Sequence, residues 1–426
     1  MTNIKEKMIQ NPAYILIAML FLIEIVTFTY FDMWKTAYPV TKIIEGRRFY
    51  HTEYYTTTIY FGLFLLIQMI FWGEFIVIKK IGEVQCYTVF LTSSTTMLAG
   101  YMVQSLYGPT TIKRYLIFIG VCSVAFILTY LMFLGDMKPI IAELTQICIA
   151  IMLVLGIISV LQGRINGSSS WLFLSNAVSI NPSEILRVLL IILAVYCYKK
   201  PDEKVMKRFM SLSILSIGVC ILSGDIGSTI MSAVILGITY YFVEGKLKVI
   251  LVSAGVMSCG TAVIVLIYKF LGKGYALQRI IDTGTHLLGT GQHHESLMGI
   301  AYGGITGVGV KKSILATHIV YSNTDFSFNV GVGVYGFVFA LVAFVPFIML
   351  VVIAIKARII RARSNLLLVI SASTMFIQAT IHILCNLDVI CYTGLCIPLL
   401  SSSGSNCLTY YVLLALLSAG LTPKIN

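Results

Sequence analysis

Four polar segments interrupt an otherwise apolar chain, and each sets carboxylates, hydroxyls or a cation beside glycine or proline. They are NGSSSW leading to NPSEILR between 166 and 187, SGDIGST at 223–229, the stretch from Glu295 to NTDF at 323–326, and CYTGLCIPLLSSSGSN at 391–406. Asp325 is the first candidate for chemistry. It stands between Thr324 and Phe326 at the mouth of an apolar run, where low dielectric meets water and a carboxylate can exchange a proton with the hydroxyl of a head group. The competing reading makes it the N-cap of the following helix.

The other segments offer partners for it. Pro182 suits the first turn of a helix, Ser183 and Glu184 follow where a helix N-terminus favours hydroxyl and carboxylate, and Arg187 lies three residues beyond Glu184, a spacing that permits an internal ion pair. Asp225, with Gly224 and Gly227 close by, either caps the next helix or orients a cation or a sugar hydroxyl at membrane level. Ser401 and Ser405 lie in a Pro- and Gly-broken segment, and irregular backbone at membrane depth must line protein or a cavity. Trp171 serves either a site or an interfacial anchor. His286, His293 and His294 lack the regular spacing of a zinc site. None of the ten cysteines forms a CxxC pair; buried thiols are expected, with Cys391 and Cys396 close enough in sequence to bond.

The elements that position these residues follow from composition. The chain has 426 residues, 58% hydrophobic and 11% charged, proportions of a membrane protein rather than a soluble one. Twelve apolar spans are read, at 13–31, 57–78, 85–106, 115–134, 139–161, 184–198, 209–223, 226–243, 248–271, 330–355, 366–387 and 404–421. Run lengths near the roughly 20 residues that cross hydrocarbon predict helices and exclude a barrel. The expectation is therefore an all-α polytopic membrane protein, with the 184–198 span starting before Glu184 or lying tilted.

The net charge of +12 does not signal nucleic acid, because the basic residues cluster at span ends. Lys79/Lys80, Lys199 to Arg208, Lys246/Lys248 and Lys356 to Arg363 share one side, which the positive-inside rule makes cytoplasmic, together with both termini. Residues 32–56 fall outside despite Lys35, Lys42, Arg47 and Arg48. The first span reads as a retained helix rather than a signal peptide. The connections 162–183 and 272–329 also lie outside, and the second is long enough to mark function. Residues 1–80 form an N-terminal addition to a core over 81–426. Its Glu24 and Glu74 are intramembrane carboxylates, either internal polar contacts or docking features for a partner helix.

Over residues 82–426 the order of motifs resembles the SEDS family of bacterial membrane proteins, which includes FtsW, RodA and SpoVE. The family's NGARRW and QPSE with a basic residue three further on correspond to Asn166, Gly167, Trp171, Asn181, Pro182, Ser183, Glu184 and Arg187. PDLGTA corresponds to Gly224 through Thr229. Gln-Ser, paired glycines and HTDF correspond to Glu295, Ser296, Gly303, Gly304, Gly307, Gly309 and then Asn323 through Phe326. GLPLPFISYGGS corresponds to Gly394, Pro398, Ser401, Gly404 and Ser405. The departures are Asn323 for His, Ser169 and Ser170 for the basic pair, Gly331 and Gly333 for the Glu-Glu after HTDF, and His382, Asp388 and Cys391 for the Asn, Gly and Pro of the penultimate loop.

The resemblance implies a ten-helix core plus two added helices, and a peptidoglycan glycosyltransferase that polymerises lipid II outside the cytoplasmic membrane in division, elongation or sporulation. It implies a class B penicillin-binding protein as partner and Asp325 as the acid/base residue. Thr324, Glu184, Arg187, Asp225, Trp171, Ser401 and Ser405 would support it. A divalent cation, Mg2+ or Mn2+, with Arg279 or Lys273 would neutralise the departing pyrophosphate. The alternatives are a flippase for the lipid-linked precursor and an inactive scaffold for the transpeptidase.

Overall fold

The computed structural model describes residues 12–31, 33, 35–44, 47–81, 87–134, 139–162, 170–173, 179–199, 202–244, 291–312, 322–360 and 365–422, together with residues 270, 281, 283 and 319. Lys273, Arg279, His286, Asn166, Gly167 and all but Phe270 of the span expected at 248–271 lie outside these residues.

The described chain is all-α apart from two small hairpins. Helix α1 covers Pro12–Tyr30, α2 Thr58–Ile81, α3 Tyr87–Gln104, α4 Pro109–Leu134, α5 Pro139–Gln162 and α6 Pro182–Lys199. Helix α7 covers Glu203–Ser223, α8 Ile226–Glu244, α9 Gln292–Gly303, α10 Ser327–Tyr335, α11 Phe337–Ile360, α12 Asn365–Asn386 and α13 Gly404–Leu421. Four of the described helices begin at proline, where the missing N–H costs nothing and the fixed φ suits the first turn. Helix α6 accordingly begins before Glu184, at Pro182. Between α7 and α8 the chain turns in two residues: Gly224 adopts φ 76° and its amide reaches back to Ile221 O, a left-handed cap that suits glycine.

Seven helices, α2, α4, α5, α7, α11, α12 and α13, are long and apolar enough to cross a membrane, and α1 and α8 contribute shorter apolar runs. Large apolar side chains such as Met69, Val121, Leu128, Ile147, Ile214 and Val338 are exposed, as lipid-facing positions of a membrane bundle are. The interior belongs to α3, α6, α12 and α13, with α4 packed on α13, α11 on both α12 and α3, and α6 on α5 and α8. Helix α3 can be both buried and hydroxyl-rich because Ser93 and Thr96 donate to the carbonyls of Val89 and Thr92, four residues back.

Two elements depart from the expectation. The loop after α1 is an antiparallel hairpin, β1 Lys35–Ile44 and β2 Arg47–Thr56, paired from Lys35↔Thr56 to Ile44↔Arg47. The Tyr55 hydroxyl donates to the carbonyl of Ser105 at the end of α3, and β1 runs beside the 3-10 turn Val310–Lys312. The hairpin therefore stands at the end of the bundle where α3 finishes and the Val310–Lys312 turn lies. A second, two-residue hairpin joins β3 Leu172–Phe173 to β4 Ser179–Ile180.

The span expected at 330–355 is not continuous. Gly336, at φ 80°, separates α10 from α11, and the amides freed there are satisfied from outside the helix. Phe337 N donates to Gly304 O at 3.1 Å and Ile305 O at 3.0 Å. Val308 N and Gly309 N donate in return to Gly333 O and Val334 O at 3.0 and 2.9 Å. This exchange fixes the turn after α9 onto the break. A Cβ on Gly303 would come within 2.6 Å of Gly333 O, and one on Gly307 or Gly336 would meet the opposing backbone directly. The close-spaced glycines are there to let two backbones touch.

Candidate functional site

The site lies where α6, the α7–α8 turn, the NTDF turn and the segment between α12 and α13 meet. At the start of α6, Asn181 Oδ1 accepts the amide of Ser183 at 3.1 Å and so caps the helix. The Ser183 hydroxyl lies 2.6 Å from Asn181 Oδ1 and 3.1 Å from Asp225 Oδ2. Asp225 takes up the first of the two roles expected of it, the helix cap. Its Oδ1 accepts the amide of Ser228 at 2.9 Å, capping α8, and its Oδ2 accepts the Ser228 hydroxyl at 2.9 Å, facing Ser183 across the gap.

Arg187 is only 1% exposed. Its guanidinium does not close the ion pair with Glu184 that the i, i+3 spacing allows. Nη1 instead donates to Gln378 Oε1 at 2.7 Å and Nη2 to Ser228 Oγ at 3.5 Å, while Glu184 feels Arg187 through space and is hydrogen-bonded with Ser405. Arg187 Nε and Glu184 Oε2 have no protein partner, leaving one buried donor and one buried acceptor for substrate or solvent.

Gln378 carries the network onward. Its Nε2 donates to Cys396 O at 2.8 Å and to Asn406 Oδ1 at 3.0 Å. Asn406 Nδ2 in turn donates to Cys396 O and Ile397 O, both at 3.2 Å. The irregular segment before α13, in which Leu399 adopts φ 62°, is thus held by side-chain amides in place of helix bonds. Cys396 closes the path, its thiol lying 3.6 Å from Asp325 Oδ1. Asp225, Ser228, Arg187, Gln378, Cys396 and Asp325 therefore form one chain of contacts that runs across α8, α6, α12, the segment before α13 and the NTDF turn.

Asp325 is half-buried and does not cap α10; the N-cap is Phe326, without a side-chain bond. The turn is held from behind. Asn386 Nδ2 donates to Asp325 O at 3.0 Å and lies 3.3 Å from His382 Nε2, and Asn329 Nδ2 donates to Asn386 O and to Ser296 Oγ. His382 Nδ1 sits 2.7 Å from Leu395 O. A carbonyl only accepts, so Nδ1 carries the proton and Nε2 is free to accept from Asn386. From the third side Gln104 Nε2 donates to Leu400 O at 2.6 Å and Asn323 O at 3.1 Å, and Ser402 N donates to Asn323 O. Thr324 O accepts the Ser327 hydroxyl at 2.9 Å.

Of the residues expected at the site, Glu184, Arg187, Asp225, Thr324, Asp325, Ser401 and Ser405 gather here. Ser401 accepts the amide of Ser403 at 3.2 Å and is hydrogen-bonded with Cys396. Trp171 stands at the surface, 37% exposed, and Arg279 lies outside the described residues. Cys391 and Cys396 are both free thiols, not a disulfide. Among the described residues no three His, Cys, Asp or Glu side chains gather to hold a metal ion. Sequence reasoning missed Gln104, Asn329, Gln378, Asn386 and Asn406. Their one signal is an amide in or beside an apolar span, where it must find partners inside the protein.

This architecture has counterparts. The family model described as "Cell cycle protein", which unites FtsW, RodA and SpoVE, matches residues 75–421. The "Peptidoglycan glycosyltransferase RodA" of Mycobacterium tuberculosis is 26% identical over 328 residues, 70% of this chain and 67% of that protein. The "Probable peptidoglycan glycosyltransferase FtsW" of Thiomicrospira cyclica is 25% identical over 289 residues, 65% of this chain and 72% of that protein. In fold the chain is similar to a mutant form of the Thermus thermophilus rod shape determining protein RodA (TM-score 0.54, 18% identity, 80% of this chain and 99% of that one). It is also similar to a chain from a peptidoglycan synthase complex that coordinates polymerization and crosslinking (TM-score 0.59, 20% identity, 79% and 97%). A family match over most of the chain, on the same helices that build the site, makes this protein a member of the FtsW/RodA/SpoVE, or SEDS, family.

Proposed function

We propose that this multi-pass protein is a peptidoglycan glycosyltransferase of the cytoplasmic membrane, polymerising lipid II at its outer face with Asp325 as general base. The observation that carries the mechanism is the half-buried Asp325 carboxylate, held by a buried hydrogen-bonded frame at one end of the bundle. In the reaction Asp325 takes the proton of the acceptor sugar hydroxyl as that oxygen bonds to the anomeric carbon of the donor. The bond from that carbon to undecaprenyl pyrophosphate breaks, and the pyrophosphate leaves with the electron pair. Arg187 supplies fixed positive charge beneath the site, and the buried donor at its Nε faces no protein acceptor.

A divalent cation is proposed only as a passenger of the substrate's pyrophosphate, in the manner of Mg2+ sites that rely on one or two carboxylates plus phosphates. The described side chains do not assemble a site for it, and no step is routed through it. The basic span ends support cytoplasmic termini. A class B penicillin-binding protein is the proposed partner, in line with the crosslinking function of the complex to which the fold is similar. The flippase and scaffold readings are not favoured, because the curated relatives are named as glycosyltransferases.

The test is glycan synthesis from lipid II by the purified protein with its partner. Wild type should make polymer, and Asp325→Ala should make none while folding and expressing normally. Undiminished polymer from that variant would discard the general-base assignment.

A further inference from the structure

Beside Asp325 stands a group that the proton-transfer chemistry leaves unused. Phe326 and Tyr392 are stacked, with ring centroids 5.6 Å apart and planes 14° from parallel. The His293 ring stands almost perpendicular to both, at 5.3 Å and 86° from Phe326 and at 5.5 Å and 89° from Tyr392. The three rings come from α9, the NTDF turn and the segment between α12 and α13, and so form a corner between two ring planes at the junction of the elements that frame Asp325. Phe326 is buried at 3% exposure and backs the corner, whereas His293 and Tyr392 are only half-buried.

The chemistry of such a corner is specific. An aromatic face carries the negative part of the ring quadrupole, and the axial C–H groups of a pyranose carry partial positive charge, so a sugar ring packs its C–H face on the aromatic. Peptide or lipid tails offer no flat surface of this kind to two perpendicular planes. Phe326 follows Asp325 directly in the chain, so the corner stands on the same turn that carries the carboxylate.

We infer that His293, Phe326 and Tyr392 form a saccharide-stacking subsite that holds the acceptor amino sugar of the growing glycan against Asp325. The inference rests on the general-base reading of Asp325. Tyr392 and His293 bind the ring, and Phe326 fixes Tyr392.

The test uses the full-length protein with its partner and a soluble GlcNAc–MurNAc disaccharide as probe, titrated by saturation-transfer NMR, alongside polymerisation of lipid II. Tyr392→Leu keeps apolar bulk but removes the π face, and should weaken the disaccharide roughly three- to tenfold while raising the apparent KM for lipid II more than it lowers kcat. Tyr392→Phe should keep the disaccharide affinity, and Asp325→Ala should bind the disaccharide yet make no polymer. Equal binding by wild type and Tyr392→Leu overturns the subsite, as does a wild type that polymerises without binding the disaccharide. A fall in kcat with unchanged binding shows the rings only pack α9 against the turn, and overturns it too. If wild type binds the disaccharide through Tyr392 but makes no polymer, the saccharide site stands and the polymerase reading falls.

Discussion

Two regions of this molecule bury polar side chains inside the bundle, and they do so differently. At one end of the bundle, Arg187, Gln378, Asn406 and Cys396 join into one path that ends on Asp325. In the N-terminal helices the polar group is small. Glu24, fully buried on α1, accepts from Gln68 Nε2 on α2 at 2.9 Å, and the same nitrogen lies 3.2 Å from Ser94 O on α3. Glu24 Oε2, Gln68 Oε1 and Ser94 Oγ have no partner. The first network holds irregular backbone where helix bonds are missing. The second ties together three helices that already satisfy their own backbones. The lesson is that a buried polar group acquires functional weight when it substitutes for secondary structure, and much less when it decorates it. Of the two readings of Glu24, the internal contact is the one observed.

The sharpest way to break this comparison is at Asp325 itself. Asp325→Ala should lower the polymerisation rate by about 10²- to 10⁴-fold, the range of a lost general base, while the thermal midpoint of the purified protein stays put. Next, Arg187→Leu leaves the buried Glu184 without its nearby cation and Gln378 Oε1 without its donor, and should destabilise the protein by about 3–5 kcal/mol, measured as a lowered midpoint, with activity lost as well. Asn386→Ala removes the donor to Asp325 O and should reduce kcat roughly ten- to hundredfold with little change in KM, because a misplaced base is still an open binding site. A KM effect without a kcat effect would mean that Asn386 does not position the base. The smallest effect belongs to the other region. Glu24→Gln should change stability by only about 0.6 kcal/mol, typical of interhelical hydrogen bonds in membranes, and leave polymer yield intact. A large loss of activity there would erase the distinction between the two regions.

Much of this was legible from residues alone. Apolar run length predicted the all-α membrane bundle, and Pro182 marked the start of α6 because proline suits the first turn. The four polar segments stand out because polar residues beside broken helices inside a membrane demand a reason, and their described residues gather at one end of the bundle. What stayed hidden has equally physical causes. A lone Gln378 or Asn386 in an apolar helix has no spacing to betray its partner, which lies on another element. The division of the 330–355 span at Gly336 was invisible because glycine is common in membrane helices; only the opposing carbonyls of Gly304 and Ile305 make it a break. The β1–β2 hairpin was passed over although KTAYPVTKII and RRFYHTEYYT are rich in β-branched and aromatic residues, because helix-length hydropathy dominated the reading. The spacing of Arg187 from Glu184 permits an ion pair, but packing inside the bundle gives its Nη1 an amide acceptor on α12 that sequence spacing does not show.

The glycine junction between the α9 turn and the α10–α11 break has a mechanical consequence. With backbone bonded to backbone on both sides, α9 and the helix that follows Asp325 move as one lever with no slack between them. A displacement of α9 is therefore passed through main-chain hydrogen bonds to the helix that follows the NTDF turn, without side chains between them to absorb it.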